Sequence, residues 1–500
     1  MSALALAAFC AGCLTLASAA VAVAAAAYLW ARRPRTEVPG PPTIPLLGNV
    51  RLPIKLPALV HGLVDCHQRY GEIFRYYLGH KLYIVISRPE DARKVLTSSK
   101  TRERDPYCMH VMRTVVSDGL ITCNGDTWKR HRKAIDPAFH PKALTQLVDT
   151  FNESGRVLCE KLAASAGATV DVYPLLMASA LHSIVKAIFG VELDRLEPDT
   201  TKHSRIAEIR KMAATFLRPW KTIKGVMWLS AEGRELKKHM ADFRRLVDRG
   251  LAMARENMKT DGITPLIHFL WDQKPGENLS EEEIYNEIRT LTVSGVETTA
   301  TSLGFTLALL GLHPEWQRLA QAELDDVFSA GDRLRPATER DLSQLTVIDA
   351  IVKESLRLFP PVPSTVYLLS DDVALGGGRL VAPRGSSVLV SFLLMHRRPD
   401  LFPEPLQFDP GRFLAGGSAT RRRPDSYLPF GGGPRRCVGA RFADVEMRVL
   451  LAAVLRRFRV LPGSSRHQLE QIPCSVTAHP LTGFRISCVP RNDVPLDSSR

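Results

Sequence analysis

The 500-residue chain has no basic tract, no internal repeat and no low-complexity block, and its cysteines form no disulfide framework. Lysine and arginine outnumber aspartate and glutamate by 66 to 52, a formal net charge of +14. Because that excess is dispersed, it argues against a nucleic-acid-binding arm and leaves an acidic protein partner or an anionic membrane surface. The nine cysteines are odd in number and sparse. The single Cys-x-x-Cys, Cys10 and Cys13, lies inside an apolar run where a zinc site is not built. Free thiols in a reducing compartment follow.

Charge is also missing from Met1 to Trp30, and Ala3 to Trp30 is almost wholly Ala, Leu and Val. At about 1.5 Å rise per residue, a helix of that length crosses a hydrocarbon core of roughly 30 Å. Arg32, Arg33 and Arg35 follow, so the positive-inside rule leaves the remaining chain cytosolic. A cleaved signal peptide is the competing reading. It normally has a charged n-region and an apolar run of about 7–15 residues, and neither is found. Residues 1–31 are therefore expected to be a transmembrane anchor. Residues 32–50 are basic and then proline-rich (Val38-Pro39-Gly40-Pro41-Pro42, Pro45), and are expected to form a stiff hinge, because proline fixes φ and forbids helix. No convincing domain boundary follows, so 51–500 are expected to be one large globular domain, with linker-like loops near 274–278 and 415–423.

Three helices stand out. Ser280, with Glu283 three residues on, is a capping-box pattern. It opens a helix through Ile284, Ile288, Leu291, Val296, Leu303 and Leu307 to about residue 312, apolar on most sides as suits the middle of a core. A second runs from about residue 343 to Pro360-Pro361 and places Glu354 and Arg357 on one face. A third starts just after Cys437, with Val445, Val449, Leu450 and Val454 as its apolar stripe. Runs at 83–87 and 387–393 read as strands, so the fold class is mainly α with small β-sheets (α+β).

Chemistry concentrates at Phe430-Gly431-Gly432-Gly433-Pro434-Arg435-Arg436-Cys437-Val438-Gly439. Glycines let a backbone approach a flat ligand closely. Cys437 precedes a helix N-terminus, whose unpaired N–H groups favour a thiolate, as do Arg435 and Arg436. Phe430 can shield the sulfur from water. In the long helix, Gly295 opens room for a small ligand, and Glu297 and Thr298 set a carboxylate and a hydroxyl beside it, a pairing suited to proton delivery. A solvated Glu297 and a Thr298 hydroxyl bonded back to the preceding turn are the plainer alternatives.

At every fixed position the cysteine segment resembles the haem-binding signature of the cytochrome P450 superfamily, Phe-x-x-Gly-x-Arg-x-Cys-x-Gly. Four further motifs of that family occur in its order: Trp128-x-x-x-Arg132, Ser294-Gly295-Val296-Glu297-Thr298-Thr299, Glu354-x-x-Arg357, and Phe408-Asp409-Pro410-Gly411-Arg412-Phe413. The resemblance spans essentially the whole chain. It implies the cytochrome P450 fold, a haem b whose iron takes Cys437 as axial ligand, and a cofactor site of Trp128, Arg132, Phe430, Arg435, Cys437 and Gly439. A thiolate ligand pushes electron density onto haem iron and favours O–O cleavage. Glu297 and Thr298 take the catalytic role of the oxygen-activation motif, and Glu354, Arg357 and Arg412 form a structural cluster. His396 aligns with a segment near the haem, its alternative being an ordinary hydrogen-bonded histidine.

Likeness to the microsomal members implies a hydroxylase of the endoplasmic reticulum membrane, facing the cytosol. Electrons come from NADPH through NADPH–cytochrome P450 reductase, with cytochrome b5 as a further donor. Lys129, Arg130, Arg435, Arg436 and Arg441 flank the thiolate-side motifs and can form its docking face. The branch most similar contains cholesterol 24-hydroxylase and fatty-acid omega-hydroxylases, which points to a sterol or other long lipid, with Leu120, Leu291, Ser294, Val362, Thr365 and Val476 as pocket positions. Two departures stand against the family pattern. Tyr367 occupies the position of an arginine that reaches a haem propionate, and Ser294 replaces a commoner Ala or Gly. The acidic signature of omega-hydroxylases before Thr298 is absent. A haem-thiolate isomerase or dehydratase, or a non-catalytic haem-binding protein, are the alternatives.

Overall fold

The computed structural model describes residues 3–49, 59–98, 103–196, 230–257, 264–272, 278–329, 331–421, 423, 425–473 and 477–491, with the side chains of 3–16, 59–61, 111, 232, 420 and 421 outside the description. The capping box at Ser280 is present. Its hydroxyl accepts the Glu283 N–H at 3.2 Å, and the Glu283 carboxylate accepts the Ser280 N–H at 2.8 Å. From there the central helix, Glu281–Leu312, runs through the core against helices Tyr173–Phe189, Thr346–Leu358 and Ala440–Arg457. Gly304 leaves room for a ring from outside these helices: a Cβ there would stand 2.6 Å from the Phe484 ring.

Nine short strands form three sheets among the described residues: β1 (Ile73–Leu78), β2 (Lys81–Ile86), β3 (Val170–Asp171), β4 (Ser364–Leu368), β5 (Val373–Leu375), β6 (Leu380–Ala382), β7 (Ser387–Ser391), β8 (Phe458–Pro462) and β9 (Arg485–Pro490). Their orders are β1-β2-β7-β4, β3-β9-β8 and β5-β6. In the first sheet β2 and β7 run parallel, with Tyr83 opposite Ser387, and β7 and β4 antiparallel, with Val388 opposite Tyr367. The 103–105 segment lies along β4, bridging Arg104 to Tyr367 and accepting the Leu368 N–H on the Glu103 carbonyl at 3.0 Å.

Several boundaries differ from expectation. The second helix is two, Glu339–Gln344 and Thr346–Leu358, because Thr338 and Asp341 form a capping box of their own and Leu345 (φ −79°, ψ 71°) breaks the path. The strand expected over 387–393 ends at Ser391, whose side chain accepts the Leu394 N–H and starts a helix, Phe392–His396. The 32–50 segment is not a free tether. Val38 is buried, the Arg75 N–H donates to the Pro39 carbonyl at 2.8 Å, and the Tyr77 hydroxyl donates to Pro34 at 2.8 Å, so it is laid along β1. A helix does occupy Ala3–Ala31. Among the described residues, however, no helix is long and apolar enough to cross a membrane, and much of the expected anchor falls outside the described side chains. Most of the expected 274–278 loop also lies outside the described residues.

Glu354 and Arg357 are wholly buried. Arg357 donates to both carboxylate oxygens (2.6 and 2.8 Å), and Arg412 approaches the same carboxylate at 3.4 Å. Arg357 also donates to the carbonyls of His396 (2.8 Å), Pro405 (2.7 Å) and Gln407 (3.1 Å), clamping the 396–407 stretch to the helix. This is an internal network, not a surface pair. Glu354→Ala would strand two buried guanidiniums at a cost of about 3–5 kcal/mol. A large drop in the calorimetric melting temperature is expected, and an unchanged curve would show the network to be dispensable.

Candidate active site

Cys437 sits at the end of a chain of contacts that begins at that network. The His396 ring accepts the Leu428 N–H on Nε2 at 2.9 Å, two residues before Phe430, and the Cys437 N–H donates to the Phe430 carbonyl at 2.9 Å. His396 is thus a hydrogen-bonded support, not part of the cavity wall. Between them Gly433 takes φ +66°, and a Cβ there would stand 2.1 Å from the Leu96 carbonyl oxygen, so no side chain fits. Arg132 reaches across from helix Gly125–Ile135 and donates to the Arg436 carbonyl at 2.7 Å while pairing with Asp136 at 2.6 Å. Of the six described free cysteines, Cys437 alone is exposed: its sulfur lies deep in the molecule but open to a cavity. That depth pushes the thiol above its ordinary value. The Gly439 N–H, at the cap of helix Ala440–Arg457, and the Arg132 and Arg436 guanidiniums pull it down.

The cavity measures about 1240 Å³. This exceeds the roughly 300–1,000 Å³ of ordinary ligand pockets, enough for a large cofactor with a substrate beside it. Its wall brings together Trp128 and Arg132 from helix Gly125–Ile135, Phe430, Arg435, Cys437 and Gly439 from the glycine loop, and Ser294, Gly295, Glu297 and Thr298 from the central helix. Leu120, Leu291, Val362 and Thr365 also line it, while Val476 lies outside the described residues.

The central helix presents a ladder of hydroxyls at every fourth residue. Ser294 donates to the Thr290 carbonyl (2.6 Å), Thr298 to Ser294 (2.7 Å), Ser302 to Thr298 (2.8 Å) and Thr306 to Ser302 (2.7 Å). Thr298 therefore does make the back-bond of the plainer reading, and it faces the cavity as well. Its oxygen keeps lone pairs that can accept from a ligand. Glu297 is buried rather than solvated, and its carboxylate accepts the Thr477 hydroxyl at 2.5 Å.

Sequence reasoning missed three features here. Arg104 lines the cavity with its guanidinium 4.6 Å from the centre of the Tyr367 ring. His131 is fully buried, with Nδ1 2.5 Å from Glu287 and Nε2 3.2 Å from Glu283, and bolts the Trp128 and Arg132 helix to the central helix. Glu446 is buried beside Ser183 and Thr299, where burial pushes its carboxyl up to about 8. None belongs to a local motif, because each acts on a residue more than a hundred positions away.

Among the described residues no cluster of three or more His, Cys, Asp or Glu can hold a bare ion. A metal at Cys437 must bring its other ligands with it, as a porphyrin does. The residues fit such a group: a bare thiol under a cavity, a glycine turn that no Cβ could share, and the guanidinium of Arg435 over the Trp128 ring at 4.6 Å, its Nε unpartnered. A family model described as Cytochrome P450 matches residues 38–483. The chain belongs to the cytochrome P450 family. It is similar to "Probable cytochrome P450 4aa1" of Drosophila melanogaster, 31% identical over 433 residues covering 85% of this chain and 84% of the relative. It is also similar to "Cytochrome P450 4V2" and "Cytochrome P450 4F12" of Homo sapiens. Both are 29% identical, the first over 446 residues (85% of this chain, 83% of the relative) and the second over 428 (81% and 80%). As a cytochrome P450, it is an oxidoreductase that binds haem iron, with NADPH as the electron source through a reductase.

His131 supplies a test of how the haem-side helix is held. Burial alone would lower its imidazole, but Glu287 and Glu283 outweigh that and raise it. With the folded value above the unfolded one, near 6.5, the stabilisation is complete below the unfolded value and is lost as pH rises through the folded one. The melting-temperature gap between wild type and His131→Asn is expected to shrink as pH is raised. A gap constant across that range would show that the charge contributes nothing.

Proposed function

We propose that this cytochrome P450 is a membrane-bound monooxygenase of the endoplasmic reticulum that inserts one atom of dioxygen into a lipophilic substrate, a sterol or other long lipid. Its electrons pass from NADPH through NADPH–cytochrome P450 reductase, with cytochrome b5 as a further donor. The observation that carries this is the placement of the bare Cys437 thiol and the Glu297–Thr298 pair on the wall of one cavity. Haem bound there supplies the activation of dioxygen. The chain's own residues do the rest. Cys437 would provide a thiolate, Phe430 and the glycine turn would keep water from it, and Gly295 leaves the cavity wall without a side chain. The Thr298 hydroxyl and the Glu297 carboxylate, both on the cavity wall, would pass protons to a ligand bound there.

Apolar residues supply much of the distal wall, among them Met109, Met112, Val115, Val116, Leu291 and Val366, which supports a lipid over a polar substrate. The uncharged, apolar stretch from Met1 to Trp30 supports the anchor. For reductase docking the basic set narrows. Arg130 pairs with Glu283, Lys129 pairs with Asp126, and Arg435 is turned inward onto Cys123 and Asn124, so Arg436 and Arg441 remain as exposed candidates. The isomerase and non-catalytic readings give no use to a cavity-facing Thr298 and Glu297.

The purified full-length protein, reduced under carbon monoxide, is expected to give the absorption band of thiolate ligation and Cys437→Ala to lose it. With lipids that shift the haem spectrum, NADPH consumption should yield oxygenated product. Thr298→Ala should keep the band but lower product formed per NADPH by about tenfold or more. Turnover without NADPH would establish the isomerase reading. An intact band with no NADPH use on any lipid would establish the non-catalytic one.

A further inference from the structure

Two guanidiniums share one wall of the cavity, and neither has an ion-pair partner among the described residues. Arg435 donates to the Cys123 carbonyl and to Asn124 Oδ1, each at 3.0 Å, and lies over the Trp128 ring. Arg104 donates from its guanidinium to the Thr365 hydroxyl and lies over Tyr367, and its Nε has no partner. Asn124 ties the two together, because its Oδ1 also accepts the Arg104 backbone N–H at 2.9 Å. The neighbouring positive charge of Arg104 adds to burial in pushing the Arg435 guanidinium down to about 10. Like charges placed this close and half out of water are costly unless an anion is bound between them.

The geometry also accounts for the tyrosine at 367. Arg104 is the antiparallel bridge partner of Tyr367, and side chains directly opposite one another have Cβ atoms about 4.5–5.5 Å apart. A long side chain from 104 thus reaches the space that one from 367 would reach. It does so lying on the tyrosine ring, where an arginine is held by cation–π attraction. We infer that Arg104, with Tyr367 as its stacking platform, supplies the carboxylate-binding charge that residue 367 lacks, and that Arg104 and Arg435 together neutralise the two propionates of the haem. This rests on the haem-thiolate reading of Cys437. It differs from that reading in naming a positioning charge for the cofactor from outside its motifs.

The test is the rate at which full-length holoprotein gives up haem to excess apomyoglobin, with the haem-to-protein ratio as purified. The wild type's reduced carbon-monoxide band is recorded first, since its absence would sink the haem-thiolate reading and this inference with it. With the band present, Arg104→Gln is expected to release haem about tenfold faster, as befits the loss of a charge-assisted hydrogen bond. Arg104→Lys, which keeps the charge, should lie between the two. The double variant Arg104→Gln with Tyr367→Arg should recover most of the retention, which a merely structural loss of the Thr365 contact would not. Release at the wild-type rate by Arg104→Gln, or a double variant no slower than the single one, overturns the inference while leaving the thiolate assignment intact.

Discussion

Glu354 is a carboxylate without access to water, and such an ion persists only when every lone pair has a donor and its charge is matched. Arg357 and Arg412 provide that match, and their remaining N–H groups are spent on main-chain carbonyls between His396 and Gln407. The ionic cluster therefore positions a stretch of irregular backbone that has few ladder hydrogen bonds of its own. From that stretch His396 holds Leu428, and the Phe430 carbonyl holds Cys437. The placement of the sulfur is thus inherited from a buried ion pair lying outside the cavity.

The cavity wall is built on a second economy. The cavity-lining hydroxyls of Ser294, Thr298 and Ser302 donate to carbonyls one turn back, so this polar stripe faces the cavity with its donors already used. The opposite wall gathers positive charge on aromatic faces, Arg435 on Trp128 and Arg104 on Tyr367. Each cation is oriented by a ring and by Asn124 or Thr365, and neither is neutralised by a carboxylate among the described residues. An anionic ligand bound there would meet charges that are already fixed in place, which reduces the ordering cost of binding.

Much of this was legible in local pattern. The capping box at Ser280, the long apolar helix, the glycine turn before Cys437 and the Glu354–Arg357 pair all depend on residues within about ten positions of each other. Each has the structure its sequence implied. Boundaries were less legible where a capping residue intervened, as Thr338 and Ser391 do by offering a side-chain acceptor that starts a new helix. The proline-rich stretch after residue 32 packs on β1, because Val38 finds an apolar bed that composition does not reveal.

The class of chemistry was legible in the sequence through its resemblance to the cytochrome P450 family, carried by a thiol set in a glycine loop ahead of a helix and by a carboxylate and a hydroxyl in a long apolar helix. Tertiary structure alone decided which charges line the cavity, that Thr298 donates backward while facing it, and that His131 locks two helices together. It placed Arg104 beside a residue 263 positions away through one β-bridge. The reason is physical: periodicity and capping are local, whereas the electrostatic surroundings of a buried site depend on which distant strands and helices are brought within a few ångströms of it.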